Sequence, residues 1–285
     1  MNLIGKLQPV IIITAALLGL LLGALTPLGS VSSGLIEVFL MMLLYILFLS
    51  IDLRQIKKSF TNVRFTLTAV VINFVFTPLF GYLLGKLFFP DELDIRIGLL
   101  MLLVTPCTDW YLVFTGLSKG NVELSMSILP LNLILQIVLL PVYLLVLIGS
   151  EVTMDVVSLL GSVAKVLVIP FVLAYITKLF TKNSENFKSF LSDHGDDLQL
   201  LFLCLAVVVM FASEGRSLIE NPMLLVRMFV PLLIFFVVLF FVAHLAGRVM
   251  KFSRRDIVSL NFTTLARNSP LSLAIAVATF PDRSL

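Results

Sequence analysis

The chain has 285 residues, 59% of them apolar and 13% charged, with a mean hydropathy of +1.10. Soluble domains run nearer roughly half apolar and about a quarter charged, so this composition excludes an ordinary soluble domain and indicates an all-α polytopic membrane protein. Twenty basic against seventeen acidic residues leave +3, a balance that points to no particular partner, and two unpaired cysteines, Cys107 and Cys204, exclude a disulfide framework or zinc motif.

Taken in chain order, the apolar run after Lys6 and Pro9 is long and lacks a small-residue cleavage site, so it reads as the first membrane helix and not as a cleaved signal. Runs able to cross about 30 Å of hydrocarbon cover 10–28, 34–52, 65–89, 96–118, 122–148, 156–178, 197–213, 223–247 and 256–280. That is nine spans joined by short connections, with no soluble domain. The longest hydrophilic insert, "TKNSENFKSFLSDHGDD" (181–197), suits a surface helix and carries no catalytic constellation.

Alternation of the spans assigns the basic residues to sides. Lys6, Arg54, Lys57, Lys58, Arg64, Lys119, Lys178, Lys182, Lys188, Arg248, Lys251, Arg254 and Arg255 fall on one side, against Lys86, Arg96, Arg216, Arg227 and Arg283 on the other. Basic loops stay cytoplasmic, which places the N-terminus inside an inner (cell) membrane.

Within the spans, Asn73 precedes Pro78 in the third, while Asn132 and Gln136 lie one helical turn apart in the fifth. An interhelical hydrogen bond is the ordinary use of such residues; facing a substrate is the other. Lys165 reads as a snorkelling side chain, Cys204 as packing and His244 as interfacial.

The stretch "GKLFFPDELDIRIGLLMLLVTPCTDW" from Gly85 aligns without a gap on "GRVMKFSRRDIVSLNFTTLARNSPLS" from Gly247. Asp94 falls on Asp256, and "TPCT" (105–108) falls on "RNSP" (267–270). The copies are five spans apart and so cross the membrane in opposite senses, as in the inverted repeats of many secondary transporters. A single transmembrane transporter domain, 1–285, then divides into repeat one, 1–150, and repeat two, 151–285. Five spans per repeat give a ten-helix plan, and a tenth helix is expected beyond Leu285.

Both copies place a proline-containing polar break at mid-depth, where unpaired backbone groups are tolerated only if protein or water satisfies them. Pro106 and Pro270 each remove an amide and free a carbonyl one turn back. Asp109 and Arg267 lie far from either surface, and intramembrane charges mark a pathway or a partner. Thr105, Pro106, Cys107, Thr108 and Asp109 with Arg267, Asn268 and Ser269 are therefore the candidate substrate site, to which Asn73, Asn132 and Gln136 are added. Two readings of the charges stay open: a structural ion pair, or a ligand site.

The motifs "NFVFTP" (73–78), "TPCTDW", "LSKGNVELSMSILPLNLILQIVLLPVYLLVL" (117–147) and "ARNSPLSLAIAVATF" (266–280) resemble the bile acid:sodium symporter superfamily and, within it, the arsenite-efflux permease branch. The resemblance implies a core domain with two crossing discontinuous helices, a panel domain and elevator-like alternating access. It also implies a cysteine in the first broken helix, matched by Cys107, and an "N-x3-Q-x6-Y" pattern, matched by Asn132, Gln136 and Tyr143. The branch's glutamate in the second broken helix has no counterpart in "NSPLS", and the sodium-ligating positions of coupled members fall on Thr263 and Arg267. An arginine there repels sodium.

The leading expectation is arsenite or small-solute efflux, proton-linked through Asp109, with no cofactor, no metal and no nucleic-acid partner. The alternatives are a sodium-independent carrier of a small organic anion held by Arg267, and a non-transporting membrane sensor or scaffold. An intramembrane enzyme is disfavoured, since Ser269 has no evident base. Oligomeric state is not readable from the sequence.

Overall fold

The computed structural model describes residues 3–25, 32–50, 61–107, 110–149, 156–182, 184–220, 222–269 and 272. Among these there is no strand, only a single β-bridge, and helices supply nearly all backbone pairing. They are α1 (Leu3–Leu25), α2 (Ser32–Ser50), α3 (Val63–Phe88), α4 (Leu93–Val104), α5 (Trp110–Leu117), α6 (Val122–Ile148), α7 (Val156–Phe180), α8 (Glu185–Glu220), α9 (Pro222–Val249) and α10 (Arg254–Leu265). Among the described residues, three stretches are long and apolar enough to span a bilayer by themselves: Val63–Phe88, Val122–Ile148 and Val226–Val249. The bent pair Glu185–Gly195 and Asp197–Ser213 makes a fourth. Most of the polar insert, Glu185–Gly195, is the first part of that pair, a largely exposed helical segment.

The surface confirms lipid as the solvent. Along α3 every fourth residue, Val63, Leu67, Val71, Val75, Leu79, Leu83 and Leu87, is about half exposed or more. A soluble helix would hide such a stripe and show its polar face; here Asn73 and Thr77 are the ones fully buried.

The described helices form two compact units. One holds α1, α2, α7 from Gly161 and α8; there α8 packs closely on both α1 and α2. Phe48 meets Phe171 edge-on at 5.5 Å, and the Tyr45 and Thr177 hydroxyls share a 2.9 Å hydrogen bond. The other unit holds α3 to α6, α9 from Met228 and α10. Its core gathers Phe65, Leu84, Phe89, Leu99, Leu103, Ile128, Phe235, Leu239 and Leu260, all nearly inaccessible.

Two prolines shape this second unit. α3 contains a π turn, Ile72–Phe76, immediately before Pro78. Pro78 has no amide to offer the Phe74 carbonyl one turn back, and the helix widens there so that the Thr77 amide donates to Ile72 instead. The expected single span 96–118 is split: α4 stops at Val104, Thr105 is extended, and α5 begins at Trp110. Likewise α10 stops at Leu265 and Ala266 turns extended. The remainder of the expected span 256–280 lies outside the described residues, apart from 266–269 and Ser272.

Candidate functional site

The two breaks cross. Pro106 and Arg267 form an antiparallel bridge, in which the Cys107 amide donates to the Ala266 carbonyl at 2.9 Å and the Asn268 amide to the Thr105 carbonyl at 2.8 Å. Each break thus satisfies backbone groups of the other, which answers the cost of unwinding a helix in oil.

A helix end also leaves its last carbonyls without partners, and here most of them are traceable. At the end of α4, the Thr105 hydroxyl lies 3.1 Å from the Met101 and Leu102 carbonyls, while Arg267 Nη1 donates to Leu103 at 2.9 Å. At the end of α10, the Phe262 carbonyl takes the Ala266 amide, the Thr263 carbonyl takes Asn73 Nδ2 at 3.3 Å, and the Thr264 carbonyl takes Arg267 Nη2. Nη2 also donates to Asn73 Oδ1 at 3.2 Å. The guanidinium lies over the Phe235 ring, 5.4 Å from its centre, a favourable cation–π arrangement in a desolvated place.

The structure therefore brings together Thr105, Pro106, Cys107, Arg267, Asn268 and Asn73. Thr105, Asn73, Cys107 and Asn268 are buried, whereas Ser269 is exposed. Thr108 and Asp109 lie outside the described residues, and so does Pro270. Arg267 spends its Nη hydrogens on carbonyls and an amide oxygen, which weighs against the reading in which it grips an organic anion.

Asn132 and Gln136 are placed differently. They sit on one face of α6, a single turn apart and only 1% and 2% exposed, yet none of their four amide atoms has a hydrogen-bond partner among the described residues. Tyr143, the third member of that pattern, is satisfied: its hydroxyl donates at 2.6 Å to the Phe74 carbonyl that Pro78 had orphaned. Further buried oxygens without partners among the described residues are Thr77 Oγ1, Ser125 Oγ, Asn261 Oδ1 and Thr263 Oγ1. These come from α3, α6 and α10, and α6 packs against both α10 and the π turn of α3.

Depth can be compared along the chain. The Asn121 amide donates to the Ser259 hydroxyl at 2.7 Å, which ties the start of α6 to the middle of α10. Asn132 is eleven residues further along α6, about 16 Å at 1.5 Å per residue. Arg267 is eight residues beyond Ser259, along the rest of α10 and its extended continuation.

The sequence did not reveal Phe235, Ser125, Thr77 or Asn261 as members of this region. Phe235 carries no signal, being one aromatic among many. Thr77 carried a weak one, as a polar residue in an otherwise apolar run, whereas Asn261 sits among Ser259, Thr263 and Thr264 and does not stand out.

Comparison with known proteins agrees with the architecture. A family model described as the Sodium Bile acid symporter family matches residues 36–221. The chain is 25% identical to the arsenical-resistance protein Acr3 of Corynebacterium glutamicum, over 98% of this chain and 81% of that one. It is 23% identical to the arsenical-resistance protein Acr3 of Alkaliphilus metalliredigens, over 86% and 72% respectively. It is also 27% identical to the protein YbaS of Bacillus subtilis, over 82% of this chain and 76% of that one.

Proposed function

Because the chain belongs to the Sodium Bile acid symporter family and is a membrane transporter, we propose that it exports a small, uncharged, hydroxylated solute, and that the solute is arsenite. The observation that carries this reading is the pair of orphaned amides, Asn132 and Gln136. Leaving a buried polar group unsatisfied costs about 1–3 kcal/mol. Four such atoms on one apolar helix face are retained for something that enters.

An amide offers two donors and an acceptor. Trivalent arsenic in neutral water is an uncharged trihydroxide, which both donates and accepts. That chemistry fits two amides better than it fits a cationic site, and the guanidinium nearby is already engaged with carbonyls. Cys107, buried at the crossover, would supply one soft sulfur ligand to arsenic. A single thiol holds the metalloid loosely, as a carrier requires. The two relatives described as arsenical-resistance proteins support the same cargo. Alternating access carries the solute outward, with the N-terminus cytoplasmic and Asp109 as the proton-linked group.

Asn132→Leu and Gln136→Leu test the reading. Each replaces an unsatisfied amide by an apolar side chain of similar size, a change that leaves the fold as stable or more so. Arsenite uptake into inside-out vesicles should fall at least tenfold in either variant while the thermal midpoint stays level or rises. Unchanged uptake in both would remove the proposal.

A further inference from the structure

The described hydrogen-bond partners of the Arg267 guanidinium are all neutral oxygens, and the Phe235 ring face and the Cys107 side chain interact with it as well. Two of the oxygens have a common origin. Leu103 lies in the last turn of α4 and Thr264 in the last turn of α10, so both carbonyls belong to helix C-termini. A helix C-terminus carries roughly half a negative charge, and two of them together offset about one positive charge. That is the charge a guanidinium brings. The third oxygen, Asn73 Oδ1, is fixed because its own Nδ2 is tied to the Thr263 carbonyl of the same helix end. The Nε hydrogen has no partner among the described residues, so the two Nη groups do all the bridging.

We propose that Arg267 is a resident cation. Its guanidinium fills a monovalent-cation site made by the Leu103 and Thr264 carbonyls and Asn73 Oδ1. The two half-helix ends are thereby held together without any dissolved ion. Removing the side chain leaves those oxygens aimed at a vacancy, and the vacancy takes a small cation from solution. This is independent of what the protein carries: it concerns how the crossover stays shut, not the cargo.

The test uses the purified full chain in detergent, with thermal midpoints measured for wild type, Arg267→Ala, Arg267→Lys and Arg267→Gln. Each is measured in choline chloride, in sodium chloride, and in choline chloride with millimolar guanidinium chloride or millimolar urea. The wild-type midpoint should be the same in all four media. Arg267→Ala should melt lower in choline and recover saturably with guanidinium, and partly with sodium, but not with urea, which has the shape without the charge. Arg267→Lys should lie between wild type and Arg267→Gln.

Three results would overturn the proposal: an Arg267→Ala midpoint equal to wild type in choline, a lowered midpoint that no small cation restores, or equal restoration by urea. If Arg267→Ala cannot be purified, the comparison of Lys with Gln decides. Lysine above glutamine supports the resident charge; equal midpoints refute it.

Discussion

Pro78 deprives the Phe74 carbonyl of its helical amide, and the Tyr143 hydroxyl supplies a replacement from another helix at 2.6 Å. Tyr143→Phe deletes the hydroxyl and with it this bond to the carbonyl in a partly buried place. The expected cost is about 1 kcal/mol, read as a lower thermal midpoint with helical content unchanged by circular dichroism. The proline was legible in the sequence as a break in the ladder, and so were the "TPCT" and "NSP" interruptions, since proline's missing amide acts locally. The role of Arg267 was not legible. Its partners are backbone carbonyls whose position depends on two distant helices ending at the same place, whereas the sequence offered an ion pair, an anion ligand, or a charge that keeps sodium out.

Helix pairing depends on how closely backbones approach. In α1, Gly19 and Gly23 lie against α8, and a Cβ added at Gly19 would come 2.5 Å from the Val208 carbonyl oxygen. At Gly23 it would meet the Ala212 backbone. Small residues four apart let membrane helices touch along their main chains, where packing replaces the missing hydrophobic drive. Gly23→Leu should therefore part α1 from α8 and destabilise that unit by a few kcal/mol, roughly the upper range for forced overpacking. Faster proteolysis of the detergent-solubilised protein checks this. The spacing "GLLLG" did not stand out in the sequence, because glycine is common in membrane helices and nothing in it names α8 as the partner.

A second junction ties α6 to α10. Asn121 caps α6 through Leu124 and donates at 2.9 Å to Asp256, which also takes the Ser253 hydroxyl at 2.7 Å. Asp256 was visible only as the counterpart of Asp94 in the repeat. Its use in joining two helix starts needed the fold.

For the whole molecule, the aligned copies predict Thr105 opposite Arg267 and Pro106 opposite Asn268 as equivalents. The observed ladder pairs Pro106 with Arg267 and joins Asn268 to Thr105, which exchanges those two assignments symmetrically. Any antiparallel pairing of two segments makes such an exchange, so the ladder is compatible with the inverted repeat that the alignment proposes. The proposed proton linkage belongs to this scale as well. Asp109→Asn should abolish the response of arsenite transport to an imposed pH gradient while leaving arsenite binding within about fivefold, since one lost hydrogen bond or its equivalent is worth about 1 kcal/mol. Loss of binding with the gradient response intact would separate Asp109 from coupling.

The π turn of α3 has a mechanical result besides freeing a carbonyl. Residues spaced by four on an α-helix advance by about 40° at each step, so a seam from Val63 to Leu87 would wind most of the way round the rod. A turn closed between residues five apart holds more residues than an ordinary one and rewinds part of that drift. The surplus residue therefore acts as a phase corrector. It decides which flank of Thr77–Phe88 is wetted by acyl chains, and lets Asn73 reach inward without turning Leu79, Leu83 and Leu87 away from the oil.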